Sequence, residues 1–351
     1  MFQDIENQNF ISAPIWIKFI YICRHLANTQ NIFLEWERRC LSKLHEKYQD
    51  LPDGETLDIP EFTVENFDYD AFKAAGRDIR PFVIRNFCDP SILSWDSLKS
   101  EYGGTRVPTH PNAEPNKDFT YHTVQYTTLR DTIEKMERDD PAYVIGSSQL
   151  FLDHPELADS FPSGKISKFF KREIIRKEVF IGGPKVGSSF HCAGGDNIFF
   201  MAHGRKKWLF VSPKNYMAMY PTYGRDRESY VHTSELDSHN YDALQKERFP
   251  LFSKINKYSV TLEPGDLLFN PTMWWHEVRN LDRTIGVPHR TISTAGRNEL
   301  PSWLNLAKKN ALEFLVTSLV GRFTGKTASI DNSDEMIIAT YGGSRKVVSI
   351  K

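Results

Sequence analysis

Apolar residues recur every three or four positions between residues 14 and 48, which is the spacing of one face of a helix. Pro14 stands near the start of this stretch, where its fixed φ suits a first helical turn. The sequence YQDLPDGETLDIP over 48–60 is rich in turn-forming residues and predicts a linker. We therefore expect a helical N-terminal segment over residues 1–60.

The periodicity changes after this linker. The apolar run RPFVIRNF over 80–87 predicts a short buried strand. The following DPSILSWDSLKSEYG predicts a small helix, capped by Asp89 and Pro90. Further on, TLRDTIEKMERDD predicts a polar helix over 128–140.

From about residue 118, short apolar or alternating runs are separated by Gly and Pro turns. These runs are FTYHTVQY, AYVIGSSQLF, KEVFIGG, NIFFMAHG, KKWLFVSP, YSVTLEPGDLLFNP and RTIGVPHRTIST. Strands at such close intervals predict an antiparallel barrel or sandwich. Residues 301–323 predict a further helix, with Pro301 in its first turn. The predicted fold is mainly β with flanking helices, divided into 1–60, a barrel over 61–300, and a C-terminal helix and tail over 301–351.

Composition narrows the function classes. The 44 basic and 45 acidic residues give a net charge of −1, so we predict no nucleic-acid partner. The four cysteines have no CxxC spacing, which argues against a disulfide framework or zinc finger and favours a reducing, cytoplasmic location. The apolar run over 15–23 has only nine residues, whereas a transmembrane helix needs about 20. We expect no transmembrane segment, and the C-terminal helix serves either a homodimer or the end of the barrel.

Lys206 has an unusual sequence context. In NIFFMAHGRKKWLFV two strand patterns flank Gly204, which predicts a hairpin turn. Lys206, Trp208 and Phe210 then share one strand face. A lysine among aromatic residues suits a carboxylate clamp inside a barrel. Taken alone, a solvent-facing Lys206 beside Lys207 is the more economical interpretation.

Two histidines carry the candidate metal chemistry. His191 lies in SSFHCAGGDN, and His276 closes FNPTMWWHEV. A histidine beside two tryptophans is sheltered from water, which suits a neutral imidazole ligand. Either histidine alone would more economically be a core residue that donates to a carbonyl.

Taken together, the segments RPFVIRNF, AYVIG, GSSFHCAGGDNIFFMAHGRKKWLFVSP and PGDLLFNPTMWWHEVRNL resemble the cupin-like (JmjC-type) iron(II)- and 2-oxoglutarate-dependent oxygenases. This resemblance runs from about residue 80 to 295. It implies a double-stranded β-helix fold, the cupin or jelly-roll barrel, and an iron site built from an HxD/E…H triad. It also implies 2-oxoglutarate and O2 as cosubstrates.

The resemblance assigns roles to particular residues. His191 and His276 match the two histidine ligands of the metal, and Lys206 matches the partner of the distal carboxylate of 2-oxoglutarate. Ser188 and Tyr143 match positions that hydrogen-bond the same cosubstrate. The last match is Asn197, which corresponds to a polar position lining the iron pocket. Arg290 is a further candidate for binding an anion of the cosubstrate or substrate.

The sequence departs from the family at the acidic ligand, where it has Ala193. In iron and 2-oxoglutarate halogenases of another branch, Ala or Gly at this position leaves room for chloride or bromide. A halogenase that binds halide beside Ala193 is accordingly our first interpretation. The alternative is a hydroxylase, in which Asp196 or water completes the iron shell or in which an engineered Asp-to-Ala change removed the ligand.

A third interpretation is a non-catalytic cupin-fold binding protein. The retention of both histidines, Lys206 and Ser188 argues against this, because a decayed site is expected to lose several such residues together. For the enzyme we expect a small-molecule or amino-acid-like substrate, whose identity the sequence does not specify.

Overall fold

The structure is a computed structural model that describes residues 10–11, 17, 20, 33–74, 80–90, 94–110, 125–193, 195–222 and 231–291. The predicted helix over 301–323 and the tail after it lie outside the described residues. The predicted division of the chain at residues 60 and 300 stays a prediction.

Short strands dominate the described part of the chain. The strands are β1 (Thr56–Asp58), β2 (Glu61–Phe62), β3 (Phe82–Ile84), β4 (Arg106–His110), β5 (Gln125–Thr128), β6 (Tyr143–Ser147), β7 (Arg176–Lys177), β8 (Val179–Gly182), β9 (Gly187–Ala193), β10 (Asp196–His203), β11 (Lys206–Val211), β12 (Pro221–Thr222), β13 (Val231–Ser234), β14 (Lys257–Leu262), β15 (Leu267–Asn270), β16 (Trp275–Asn280) and β17 (Thr284–Thr291).

Helices flank these strands. They are α1 (Leu34–Tyr48), α2 (Tyr69–Ala74), α3 (Trp95–Glu101), α4 (Leu129–Glu137), α5 (Gln149–Asp153), α6 (Pro155–Ser160), α7 (Ser163–Phe170) and α8 (Ala243–Arg248), with 3-10 helices at Pro213–Met219 and Pro250–Lys254. Among the described residues, none of the helices is long and apolar enough to span a bilayer.

The strands form two sheets. The seven-stranded sheet has the order β1-β14-β11-β16-β9-β13-β12. The ten-stranded sheet has the order β2-β3-β15-β10-β17-β8-β6-β4-β5, with β7 paired to β17. Along the chain, β8, β10, β15 and β17 lie in the larger sheet and β9, β11, β14 and β16 in the smaller. This interleaving is the antiparallel barrel-like arrangement that the short strands predict.

Each sheet buries apolar residues on both faces. A cluster drawn from both sheets fills the space between them and includes Phe199, Trp208, Phe210, Tyr258 and Leu268. The outer face of the larger sheet packs under helices, and part of the outer face of the smaller sheet packs against α1 and the 3-10 helices. These apolar clusters on both faces of each sheet hold the barrel against its flanking helices.

The turn at Gly204 differs from the predicted hairpin. Gly204 has a φ of 69°, so the left-handed turn is present. However, β10 and β11 belong to different sheets, and the turn carries the chain across the barrel. A hairpin and a crossing between sheets can have the same local sequence, a glycine turn between two apolar strands. Only the pairing partners of each strand distinguish the two arrangements.

Two predicted helices can be compared directly with the structure. The helix over 128–140 is confirmed as α4, and it buries Leu129, Ile133 and Met136. The predicted caps Asp89 and Pro90 of the next helix upstream are wrong. Helix α3 begins later, and its cap is Ser94, whose hydroxyl accepts from the Ser97 amide.

A bulge in β9 determines which side chains face the barrel interior. His191 lies opposite His276, whereas Ser188 lies opposite Val278, so three residue steps of β9 match two of β16. Directly opposed residues project from the same face of a sheet. Strict alternation would put Ser188 and His191 on opposite faces, and the bulge instead puts both inside.

Gly187 lies just before this bulge, opposite Arg279. A Cβ built there would lie 1.8 Å from the carbonyl oxygen of Val278, which is a collision with backbone. Gly187→Ala should therefore lower the free energy of unfolding by about 3 kcal/mol, the upper end of the range for overpacking.

The matched control is Gly164→Ala in α7, where a Cβ would meet no atom within 4 Å. This change should raise the unfolding free energy by about 0.5–1 kcal/mol, because alanine favours helix. Urea unfolding of both variants checks the pair. Equal changes in the unfolding free energy of the two variants would contradict the close approach of β9 to β16.

Candidate metal and cosubstrate site

His191 and His276 meet on the inner face of the smaller sheet. They are directly opposed residues of β9 and β16, and their ring centroids lie 4.2 Å apart. His276 is buried, and Trp208 stacks on its ring with centroids 5.4 Å apart. Two imidazoles at this separation can bind one ion between them.

Backbone contacts fix the tautomer of both rings. The Nδ1 of His191 lies 2.9 Å from the Ser189 carbonyl oxygen, and the Nδ1 of His276 lies 2.9 Å from the Trp274 carbonyl oxygen. A carbonyl only accepts, so in each ring Nδ1 carries the proton and Nε2 keeps its lone pair. Metal-ligating histidines are usually oriented in this way by the second ring nitrogen.

The environment keeps both histidines neutral. Burial lowers the pKa of His191 to about 4, with a smaller contribution from the charge of Arg290. Burial also lowers the pKa of His276 well below its usual range, and the neighbouring His191 and Arg290 add to this effect. Neutral imidazole is the form that binds a metal ion.

Lys206 is buried inside the barrel, as the carboxylate-clamp interpretation requires. Its side chain is 1% exposed, while Lys207 on the opposite face is exposed. The ammonium lies 5.2 Å from the ring centroid of Phe199 and 5.9 Å from that of Tyr143. No carboxylate among the described residues forms a salt bridge with it, and burial lowers its pKa to about 7. An anionic ligand would supply the missing counter-charge.

The opposite wall of the pocket belongs to the larger sheet. Asn197 of β10 is buried and lies between its neighbours Asn270 of β15 and Arg290 of β17. The side-chain oxygens of both asparagines have no hydrogen-bond partner. The Asn270 amide nitrogen also lies 3.4 Å from each ring nitrogen of His276. Buried polar atoms without partners indicate a place where a polar ligand binds.

The predicted residues thus belong to the two facing sheets of the barrel. His191, His276, Ser188 and Lys206 project from the smaller sheet, and Tyr143 and Asn197 belong to the larger one. Ala193 ends β9, two residues after His191. Their assigned roles stay predictions at this point.

A family model for a cupin-like domain matches residues 70–289, which include every one of these side chains. The chain belongs to the cupin-like domain family. This membership confirms the predicted fold class, a double-stranded β-helix or jelly-roll barrel with flanking helices.

Two relatives illustrate the range of this family. The tRNA wybutosine-synthesizing protein 5 of Danio rerio is 28% identical over 261 residues, which cover 66% of this chain and 74% of that protein. The HSPB1-associated protein 1 homolog of Danio rerio is 30% identical over 200 residues, which cover 56% of this chain and only 40% of that protein. Neither name refers to halogenation.

Asp196 has a structural role in this cupin-like chain. It is fully buried, its Oδ2 pairs with Arg172, and its Oδ1 accepts from the Thr272 amide at 2.8 Å and hydroxyl at 2.9 Å. Asp196 therefore holds the turn before His276 and has both oxygens engaged. The interpretation in which it completes the iron shell is not favoured. Among the described residues, no cluster of three His, Cys, Asp or Glu side chains forms a metal site.

Sequence reasoning missed several polar residues of the cavity. Asn280 is buried directly opposite Lys206, and its side-chain oxygen has no partner. Thr284 is fully buried opposite Gly182, with an unpartnered hydroxyl. The available signal was a polar residue at the end of an apolar strand, as in LLFN for Asn270.

The first prediction from the site concerns Asp196. Asp196→Asn should lower the free energy of unfolding by about 3 kcal/mol, because it removes the buried negative charge that pairs with the half-buried Arg172. Metal affinity should stay within ~10-fold of the parent, the lower limit for loss of an outer-shell contact.

The matched control is Asp282→Asn, which breaks an exposed pair with Arg205 and should cost about 0–1 kcal/mol. Chemical denaturation and anaerobic Co(II) titration check both variants. Complete loss of metal binding in Asp196→Asn without loss of stability would show that Asp196 is a ligand.

The second prediction concerns Lys206. Because its pKa in the free protein is about 7, the amine is mostly neutral at pH 8. A bound dicarboxylate favours the charged form, so binding at pH 8 should take up about one proton per ligand. Below pH 6 the uptake should vanish, since Lys206 is then already charged.

Calorimetry of 2-oxoglutarate binding in buffers of different ionisation enthalpy measures this uptake. Lys206→Met should abolish it and weaken binding by ~100-fold, as for loss of one partner of a buried charge pair. Lys168→Met, on the exposed face of α7, is the control and should change neither quantity. Proton release, or uptake unaffected by Lys206→Met, would contradict the clamp.

Proposed function

We propose that this protein is an iron(II)- and 2-oxoglutarate-dependent oxygenase of the hydroxylase type. The observation that carries the proposal is the opposition of His191 and His276, each with Nδ1 bound to a carbonyl and Nε2 directed away from it. Lys206 lies in the same cavity, buried and without a carboxylate among the described residues. These donors suit a ferrous ion and a dicarboxylate.

Each residue has a task in this proposal. His191 and His276 hold the metal, and Lys206 binds the distal carboxylate of 2-oxoglutarate. Ser188 and Tyr143 hydrogen-bond the same cosubstrate, and Asn197 lines the iron pocket. The bound ferrous ion would activate O2 for oxidation of the substrate. The surrounding aromatic rings exclude water, which strengthens the electrostatic attraction between the Lys206 ammonium and a bound anion.

The position beside Ala193 needs a ligand that none of the described residues supplies. A methyl group cannot bind a metal, and Asp196 is occupied by Arg172 and Thr272. In the hydroxylase, water completes the shell there. An engineered Asp-to-Ala change in a hydroxylase would produce the same arrangement.

A halogenase is the second candidate, and one observation favours it. Arg290 is close enough for its charge to lower the pKa of both histidines. The same charge would stabilise chloride or bromide in the space next to Ala193. The family match and the names of the relatives support the hydroxylase better, so the halide stays the minor proposal.

The substrate is proposed only as a chemical class. Arg290 is 30% exposed and lies 3.3 Å from the buried carboxylate of Glu178, which Arg176 also pairs with. This edge of the barrel therefore has two guanidinium groups and one carboxylate, which suits the carboxylate of an amino-acid-like molecule. The relative named for wybutosine synthesis makes tRNA the competing class. The net charge of −1 favours the small molecule.

The test is an anaerobic titration of the protein with iron(II) and then 2-oxoglutarate. We expect the weak visible charge-transfer band of a chelated complex. His276→Ala should lose iron and band together, since one of the two proposed histidine ligands is removed. Absence of metal and band at saturating ligand would favour the non-catalytic cupin instead.

Chloride then separates the two enzymes. In the hydroxylase the band is indifferent to chloride and bromide. In the halogenase halide shifts the band and tightens 2-oxoglutarate binding, and Ala193→Asp removes that dependence. A halide-dependent shift would therefore overturn our preferred proposal and support the second.

A further inference from the structure

A cleft lies on the outer face of the smaller sheet, behind the candidate metal site. It has a volume of about 410 Å³, which suits a small ligand. Its floor is formed by outward-facing residues of three strands, namely Lys207 and Leu209 of β11, Lys257 and Ser259 of β14, and Glu277 of β16. The 3-10 helix at 250–254, α8 and the loop before α8 form its walls.

Three lysines give this cleft its charge. Lys207, Lys246 and Lys257 line it, and none of them forms a salt bridge with any described residue. Lys257 is half-buried, and burial lowers its pKa to about 8. Its ammonium lies 4.9 Å from the ring centroid of Phe252. The charge of Asp53 acts on this ammonium without forming a salt bridge with it, and a bound anion would stabilise the ammonium further.

Glu277 supplies a second feature. It is 5% exposed, and its Oε1 accepts from the Nε2 of His239 at 2.6 Å. The other oxygen, Oε2, is buried and has no hydrogen-bond partner. A carboxylate oxygen only accepts, so Oε2 is available to a hydrogen-bond donor from a ligand.

The remaining charges of the cleft do not offset the lysines. Asp53 pairs with Lys254 at 2.9 Å and its charge also acts on Lys257, and Glu277 is bound by His239. Three lysines thus line the cleft against two carboxylates. This excess of positive charge disfavours a metal cation and favours an anionic ligand.

We propose that this cleft binds a small phosphate monoester that carries a neighbouring hydroxyl group. The phosphate contacts the ammonium groups of Lys207, Lys246 and Lys257, and the hydroxyl donates to Oε2 of Glu277. Lysine binds phosphate as a point charge without a fixed geometry, which suits three ammonium groups on different elements.

This site is separate from the cavity of the proposed oxygenase, although it shares strands with it. Lys207 follows Lys206 and Glu277 follows His276, so each pair projects to opposite faces of one sheet. Binding in the cleft needs neither iron nor 2-oxoglutarate. The two proposals can therefore fail independently.

The test uses the full chain and two probes, ribose 5-phosphate and inorganic phosphate, with binding measured by calorimetry at constant ionic strength. We expect ribose 5-phosphate to bind more tightly, because only it offers hydroxyl groups to Glu277. The double variant Lys207→Met with Lys257→Met should weaken binding of both probes by ~10-fold or more. Lys168→Met is the matched control and should have no effect.

Glu277→Met tests the hydroxyl-binding part of the site, because methionine has no oxygen acceptor. It should abolish the preference for ribose 5-phosphate and leave inorganic phosphate bound. A circular dichroism spectrum and a thermal transition like the parent's establish that each variant is folded. Equal effects of the double variant and Lys168→Met would overturn the site. Binding of an RNA oligonucleotide through these lysines without binding of ribose 5-phosphate would overturn the small-molecule ligand.

Discussion

The pairing of β9 with β16 is the contact on which the rest of the site depends. It sets His191 against His276, and the bulge in β9 turns Ser188 to the same inner face. Next to the bulge, the two backbones approach so closely at Gly187 that no Cβ fits. Moving this register by one residue would send the histidines out of the barrel, because side chains alternate along a strand.

Two buried charged residues of the barrel, Asp196 and Lys206, differ in whether the fold supplies a partner of opposite charge. Asp196 is fully buried but has Arg172 and Thr272 as partners, so it stabilises the turn before His276. Lys206 is just as buried and has no carboxylate among the described residues. The charge of Asp196 is compensated by residues of the fold. The charge of Lys206 is compensated only when an anion binds, so we assign Lys206 to ligand binding.

Much of the barrel was predictable because strand alternation is local. The shared face of Lys206, Trp208 and Phe210 follows directly from period two. That this face is inward did not follow from the local pattern, which favoured a solvent-facing Lys206, and the burial of all three shows that the solvent-facing interpretation is wrong. Long-range information was missing elsewhere. The turn at Gly204 joins different sheets, and the bulge of β9 exists only against β16. The partner of Asp196 is Arg172, 24 residues away, which no local pattern indicates.

The central claim is that one ferrous ion is shared by His191 and His276 beside the methyl group of Ala193. X-ray absorption spectroscopy of the iron(II)-loaded protein tests it most directly, because multiple scattering from imidazole rings counts the histidine ligands. We predict two imidazoles, with the other positions filled by oxygen or halide donors. Iron with fewer than two imidazoles, or no retained iron, would contradict the account.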